Sequence, residues 1–288
     1  MFEYFFAPFY DFLFMQKALV GCVAIALSSA PVGVFLMLRR MSLTGDAMAH
    51  AILPGAAVGY LVAGLSIGAM TLGGIIAGSL VALVAGLVSR VTQVNEDSSL
   101  AAFYLISLAA GVLIISSSGS QVDLLHVLFG SALALNNQAL ILLASICTFT
   151  LVVLAVLFRP LVVECMDRQF LQSVSRLSPL THMVFLVVVV VNLVGGFNAL
   201  GTLMSVGMMI LPAALARYWV RTLDAMLLVA CIFAIICSYV GLLLSYHVAW
   251  PAGPSIILML GMCYSVSLVF GPQGGLVTKF TRPRHLSA

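Results

Sequence analysis

An aspartate and a histidine four residues apart, Asp46 and His50, are the side chains of this sequence best suited to chemistry. On a helix, residues four apart lie one above the other on the same face. Both fall at the start of an apolar segment, although a carboxylate at the centre of a membrane helix costs roughly 2.5–3.5 kcal/mol on the insertion scale. A divalent cation would offset this cost, and carboxylate with imidazole suits zinc, manganese or ferrous iron. We predict that Asp46 and His50 contact a transition metal. The alternative is a structural ion pair that fixes the orientation of the helix.

The composition indicates a membrane protein. Of 288 residues, 63% are hydrophobic and only 7% are charged, and the mean hydropathy is +1.21. Soluble domains carry about 25% charged residues, so a soluble globular enzyme is excluded. The net charge of +3 comes from basic residues at the ends of apolar segments, a pattern that sets membrane orientation and does not indicate nucleic-acid binding. Six scattered cysteines without a Cys-x-x-Cys motif are interpreted as packing residues.

Nine apolar segments approach or reach the length of a membrane-spanning helix, which is about 20 residues. Their predicted ranges are 17–38, 46–64, 67–89, 98–118, 138–158, 181–199, 201–216, 223–247 and 253–271. The sequence therefore predicts an all-α polytopic bundle of eight to nine transmembrane helices. Gly55 and Gly59, together with Gly74 and Gly78, have the spacing that allows close helix packing in membranes.

The basic residues predict the orientation and the division of the chain. All basic clusters fall on one side if the chain enters the membrane from outside, as the positive-inside rule requires. The amino terminus is then outside and the carboxyl terminus inside. We divide the chain into an aromatic interfacial segment (1–16), a transmembrane domain (17–271) and a basic cytoplasmic tail (272–288).

Two cytoplasmic stretches, 164–179 and 211–224, carry charge. Each is interpreted either as a solvated loop with positive-inside anchors or as a docking surface for a cytoplasmic partner. In the second stretch, Pro212 suits a first helical turn, and Arg217 and Arg221 have the spacing of one helical face.

The outer side carries little charge. Asp123 and His126, three residues apart near a predicted outer turn, are a possible outer metal contact. The apolar piece 125–135 is too short to span the membrane, so we interpret it as a re-entrant or interfacial turn. His247 near the next outer turn is interpreted as structural.

The chain has no phosphate-binding Gly-x-x-x-x-Gly-Lys-Ser/Thr motif, no His-Glu-x-x-His and no Gly-x-Ser-x-Gly. If nucleotide drives transport, another chain must bind it.

Four stretches resemble one family. Residues 39–55, Arg-Arg-Met-Ser-Leu-Thr-Gly-Asp-Ala-Met-Ala-His-Ala-Ile-Leu-Pro-Gly, look like the signature of zinc- and manganese-importing ABC permeases. Residues 128–134, 201–217 and 245–253 are similar to later elements of that family and follow in the same order. The similarity spans roughly residues 17–271.

The resemblance implies a homodimeric permease in the bacterial cytoplasmic membrane, related in fold to the cobalamin and siderophore permeases. It implies a cytoplasmic ATP-binding subunit, an outer metal-binding protein, no permanently bound cofactor and no nucleic-acid partner. Asp46 and His50 match the family's metal positions. The stretch that contains Pro212, Arg217, Arg221 and Asp224 matches the region that couples to the ATPase. One departure is His247-Val-Ala-Trp250, where the family often has an acidic residue before the outer Pro-x-Gly.

The leading functional prediction is an ABC permease for a divalent transition metal, with zinc as cargo. A manganese or iron importer of the same family is the alternative. Two other classes stay open at this point: a secondary transporter that uses an intramembrane carboxylate, and an intramembrane enzyme built from Asp46, His50, Asp123 or His126. The chain itself is not predicted to be an enzyme.

Overall fold

The computed structural model of the protein describes residues 2–41, 43–64, 66–92, 95–117, 135–167, 170–171 and 177–277. No strand occurs within these ranges. The helices, in chain order, are α1 (Phe2–Asp11), α2 (Leu13–Leu38), α3 (Thr44–Ala51), α4 (Leu53–Ala63), α5 (Ile67–Val91), α6 (Glu96–Ser117), α7 (Asn137–Met166), α8 (Leu177–Leu200), α9 (Thr202–Ala216), α10 (Leu223–Val248) and α11 (Ala252–Phe270).

Eight membrane spans are long and apolar enough to cross a bilayer within the described ranges, with α3 and α4 counted as one span. Helix α9 is also apolar but has only 15 residues. The predicted all-α bundle of eight to nine helices is confirmed. The predicted turn at 125–135 lies outside the described residues, apart from Leu135.

Helix α2 lies at the centre of the bundle and contributes to two hydrophobic cores. One core joins the first part of α2 to α9, α10 and α11. The other joins its last part to α3, α5, α7 and α8. A helix that is hydrophobic all round lies either in a protein core or against lipid; α2 lies in the core, with 15 buried residues from Met15 to Leu36. This position holds the end of α2, and therefore the start of α3, in a fixed place.

Close backbone contact joins α4 to α5. A Cβ atom added to Gly55 would overlap the carbonyl oxygen of Gly73, and one added to Gly73 would overlap that of Gly55. At Gly59, an added Cβ would overlap the carbonyl of Ala69. The predicted close packing at Gly55 and Gly59 is therefore present, because only glycine leaves room for the two backbones.

The aromatic amino-terminal segment forms α1, which packs on α2 and α10. Phe9 stacks on Tyr239 of α10 with ring centroids 4.8 Å apart. Helix α2 begins at Leu13, so the last residues of the predicted interfacial segment belong to the first membrane helix.

Candidate metal site

Asp46 and His50 lie on the short helix α3, directly after the turn that ends α2. The turn is tight: Met41 N donates to Leu36 O at 2.9 Å, and Arg40 has a positive φ of 60°. Asp46 Oδ1 and His50 Nε2 are 3.9 Å apart. As predicted, the two side chains lie on one face of a helix.

The helix that carries the pair is interrupted directly after His50. Helix α3 ends at Ala51 and α4 begins at Leu53, with Pro54 in its first turn. Proline supplies no N–H and therefore weakens the helix hydrogen-bond ladder. At the same interruption, Ser107 Oγ of α6 donates to Ala51 O at 3.0 Å. Discontinuous membrane helices with exposed polar backbone are typical of transport sites.

The exposure of Asp46 is unusual for its position. Its side chain is 66% exposed and that of His50 is 33% exposed, whereas every other described α3 residue is buried. Because a carboxylate facing lipid is costly, this face needs water, a cation or another protein chain beside it. The His50 ring lies 6.3 Å from that of Tyr104 on α6, centroid to centroid.

The pair alone does not form a closed metal cage. One oxygen and one nitrogen are fewer than the four ligands of a closed zinc site. Among the residues that the structure describes, no three His, Cys, Asp or Glu side chains form a group able to hold a metal. The remaining ligands of a cation at Asp46 and His50 must therefore come from water or from another chain.

A buried charged cluster lies near this site, and the sequence did not reveal it. Arg39 Nη2 donates to Glu164 Oε2 at 2.9 Å, and the two side chains are only 6% and 3% exposed. Arg39 Nη1 lies 3.1 Å from His182 Nδ1. Because arginine only donates, this nitrogen of His182 accepts and its ring proton is placed on Nε2. The Arg39 guanidinium also lies 4.5 Å from the centroid of the Phe185 ring.

The interpretation of Glu164 as part of a solvated loop is wrong. Helix α7 continues to Met166 and buries Glu164 on its inner face. Its partners are 125 and 18 positions away in the chain, so only the packing of α2, α7 and α8 brings the three side chains together. The one sequence signal was an acidic residue within the last turn of an apolar helix.

The stretch predicted to couple to the ATPase, residues 211–224, does not form the helix that its spacing predicted. Pro212 is buried inside α9, not in a first helical turn. Helix α9 ends at Ala216 and α10 begins at Leu223, so Arg217 and Arg221 lie in a connecting turn and not on one helical face. Asp224 lies in the first turn of α10, where the helix dipole stabilises a negative charge.

This connecting turn, residues 217–222, is hydrogen-bonded to the end of α11 and to the residues just beyond it. Trp219 Nε1 donates to Ser267 Oγ at 2.9 Å, and Gln273 N donates to Tyr218 O at 2.9 Å. Arg221 Nε donates to the side chain of Gln273. Burial, followed by a hydrogen bond with Tyr264, raises the pKa of the Tyr218 hydroxyl. The tertiary contact with α11 therefore determines the conformation of this turn.

The outer side is described only in part. Asp123 and His126 lie outside the described residues. In the last outer turn, Ser245 Oγ donates to Trp250 O at 2.6 Å, and Ala249 has a positive φ of 55°.

Comparison with known proteins places these features in a family. Residues 11–271 match the ABC 3 transport family. The chain is 29% identical to the manganese transport system membrane protein MntC of Halalkalibacterium halodurans, over 97% of this chain and 94% of that protein. It is 30% identical to the manganese import system permease protein ScaB of Streptococcus parasanguinis, over 91% of this chain and 92% of that protein.

A solved structure of PsaBC from Streptococcus pneumoniae in complex with Fab is also similar. The TM-score is 0.84 at 27% sequence identity, and the match covers 97% of this chain and 100% of that chain. The family resemblance of the four sequence stretches is confirmed. This chain is an integral permease subunit of the bacterial inner membrane and belongs to the ABC 3 transport family.

Proposed function

We propose that the chain imports a divalent transition metal, with manganese as its cargo, through a path that Asp46 and His50 line. The observation that carries the proposal is the exposed carboxylate on an otherwise buried, interrupted helix. A cation beside Asp46 offsets the cost of placing its charge within the membrane. An incomplete ligand pair also suits transport, because a site with four strong protein ligands would release its cargo slowly.

Manganese replaces zinc as the favoured cargo for two reasons. The two relatives described above are named for manganese transport or import. Carboxylate and water are the ligands that suit manganese, whereas zinc favours additional imidazole or thiolate. The described part of the chain places no cysteine or second histidine in a group with Asp46 and His50. Zinc and iron are the competing cargoes in the assay below.

The proposed importer contains further chains. A second copy of this chain would cover the exposed face of α3, and an outer metal-binding protein would deliver the cation. A cytoplasmic ATPase would supply the energy, because the sequence has no nucleotide-binding motif. The connecting turn 217–222, with Arg217, Arg221 and the adjoining Asp224, is exposed and fixed against α11, which suits it to transmit movement from that ATPase. Pro212 lies five residues before the turn.

Metal uptake by liposomes that contain the permease with its ATPase and binding protein tests the proposal. We expect ATP-dependent uptake of manganese that exceeds uptake of zinc and iron. Asp46→Asn removes the charge at nearly constant shape, and His50→Gln removes the imidazole, so each should lower uptake by at least tenfold. Asp11→Asn, which changes an exposed carboxylate at the end of α1, is the matched control.

Each alternative makes a different prediction in this assay. Normal uptake by both site variants would show that the pair is structural. Uptake that needs an ion gradient but no ATP would indicate a secondary transporter. ATP hydrolysis by the isolated chain would contradict its assignment as a permease without catalytic activity.

A further inference from the structure

A cavity of about 170 Å³ lies between α3 and α6, directly beside Asp46. Its lining includes Asp46 and Thr44 from α3 and Asp97 from the first turn of α6. A buried water needs roughly 10–15 Å³ of such space, so the cavity has room for several water molecules or a partly hydrated ion. The rest of the lining is mostly apolar, so the two carboxylates, which come from different helices, supply most of the charge that borders this small space.

Thr44, which also lines this cavity, carries a polar group without a partner. The residue is 1% exposed, and its Oγ1 atom has no hydrogen-bond partner among the described residues. A buried hydroxyl without a partner costs about 1–3 kcal/mol. Rotation of this side chain toward the cavity would let a water molecule there satisfy the hydroxyl.

A second, larger cavity of about 410 Å³ adjoins the first and shares one residue with it, Asp97. Arg39, Glu164 and His182 also line this cavity. The positive-inside rule predicts that Arg39, which lines the larger cavity, ends α2 on the cytoplasmic side, so we expect this cavity on the cytoplasmic side of Asp46. Asp97 is therefore the carboxylate at the junction of the two spaces.

We propose that Asp97 is a second metal-contacting residue, which receives the divalent cation from Asp46 and passes it into the larger cavity on the way to the cytoplasm. The inference rests on the proposed function. Asp97 acts after Asp46 and not beside it as a simultaneous ligand, because no three ligating side chains group together in the described structure. The larger cavity binds the cation only weakly, because Arg39 already neutralises Glu164 through the 2.9 Å ion pair.

A structural role for Asp97 makes a different prediction. An aspartate in the first turn of α6 also stabilises the helix terminus through the dipole. That role would affect the stability of the protein but would leave the uptake rate per assembled complex unchanged.

Manganese uptake by the complete complex in liposomes, combined with the manganese content of the ATP-free complex, separates the two roles. We expect Asp97→Asn to lower uptake at least tenfold while bound manganese stays at the wild-type level, because Asp46 and His50 still load. Asp97→Glu keeps the carboxylate and should recover at least a third of the wild-type uptake. Asp11→Asn should behave as wild type.

Several results would overturn the proposal. These are uptake by Asp97→Asn within twofold of wild type, equal loss in the Asn and Glu variants, and loss of bound manganese in Asp97→Asn. Failure of both Asp97 variants to assemble would also overturn it, by assigning Asp97 to the fold. The wild-type and Asp46→Asn complexes are measured in parallel. No manganese uptake by wild type, or normal uptake by Asp46→Asn, would contradict the proposed function itself, independently of Asp97.

Discussion

The ion pair between Arg39 and Glu164 gives the sharpest prediction for the stability of this permease. Replacing Glu164 by Gln nearly preserves the shape of the side chain but removes its charge. The Arg39 guanidinium, 6% exposed, is then left buried without a counter-charge. Removing one partner of a buried ion pair typically costs about 3–5 kcal/mol.

The expected loss can be measured as a change in melting temperature. A change of 1 kcal/mol shifts the Tm of a 150–250-residue domain by about 2–4 °C, so Glu164→Gln should lower Tm by roughly 6–20 °C in detergent. Asp167→Asn is the matched control: Asp167 is exposed just beyond α7, and its Oδ1 accepts from Phe170 N at 2.9 Å. An asparagine retains this acceptor, so its Tm should stay within 2 °C of wild type, which is roughly 1 kcal/mol or less.

A double variant separates the charge effect from packing. Arg39→Met combined with Glu164→Leu removes both charges, and such replacements are often neutral or stabilising by about 1–4 kcal/mol. The double variant should therefore be more stable than Glu164→Gln, provided that accessibility labelling shows correct insertion without Arg39. An unchanged Tm in Glu164→Gln, or a double variant as unstable as the single one, would refute the reasoning.

Two further predictions concern helix packing and coupling. Gly73→Ala should separate α4 from α5 and lower both Tm and uptake, because its Cβ would overlap the Gly55 carbonyl. Gly68→Ala is the control on the same helix and should leave both unchanged, because no atom lies near its added Cβ. Equal behaviour of the two variants would contradict the packing argument. Trp219→Phe removes the hydrogen bond to α11 and should lower uptake severalfold while ATP hydrolysis by the complex continues. Trp250→Phe at the outer turn is the control. Wild-type coupling of hydrolysis to uptake in Trp219→Phe would count against a role for the connecting turn.

Much of the fold follows from the sequence because the bilayer limits the possible structures. A spanning helix needs about 20 apolar residues, and lipid leaves backbone polar groups no partner outside the helix itself. The nine predicted apolar segments therefore correspond closely to the helices, including the short α9 (Thr202–Ala216). Asp46 and His50 were also identified from sequence alone, because ionisable residues are rare in such segments and their spacing of four places them on one helical face.

Sequence spacing failed where long-range contacts decide the conformation. Arg217 and Arg221 have helical spacing, yet they lie in a turn because Trp219 and Tyr218 bind to residues of α11 and the chain just beyond it. Glu164 is charged and near a helix end, yet it is buried because Arg39 lies opposite. Neither partner is close in sequence, so no local pattern indicates the pairing.

The sequence by itself determined the membrane class and the helices, and it singled out Asp46 and His50, the pair that we propose contacts the metal, since hydropathy and helical period are local properties of the chain. Only the tertiary structure decided that α2, α7 and α8 bring Arg39, Glu164 and His182 together, and that α3 and α6 place Asp97 beside the same cavity as Asp46. The physical reason is that these groups meet across helix interfaces. Their contact depends on how whole helices pack, and the small residues that set this packing carry no chemical signal of the charges they bring together.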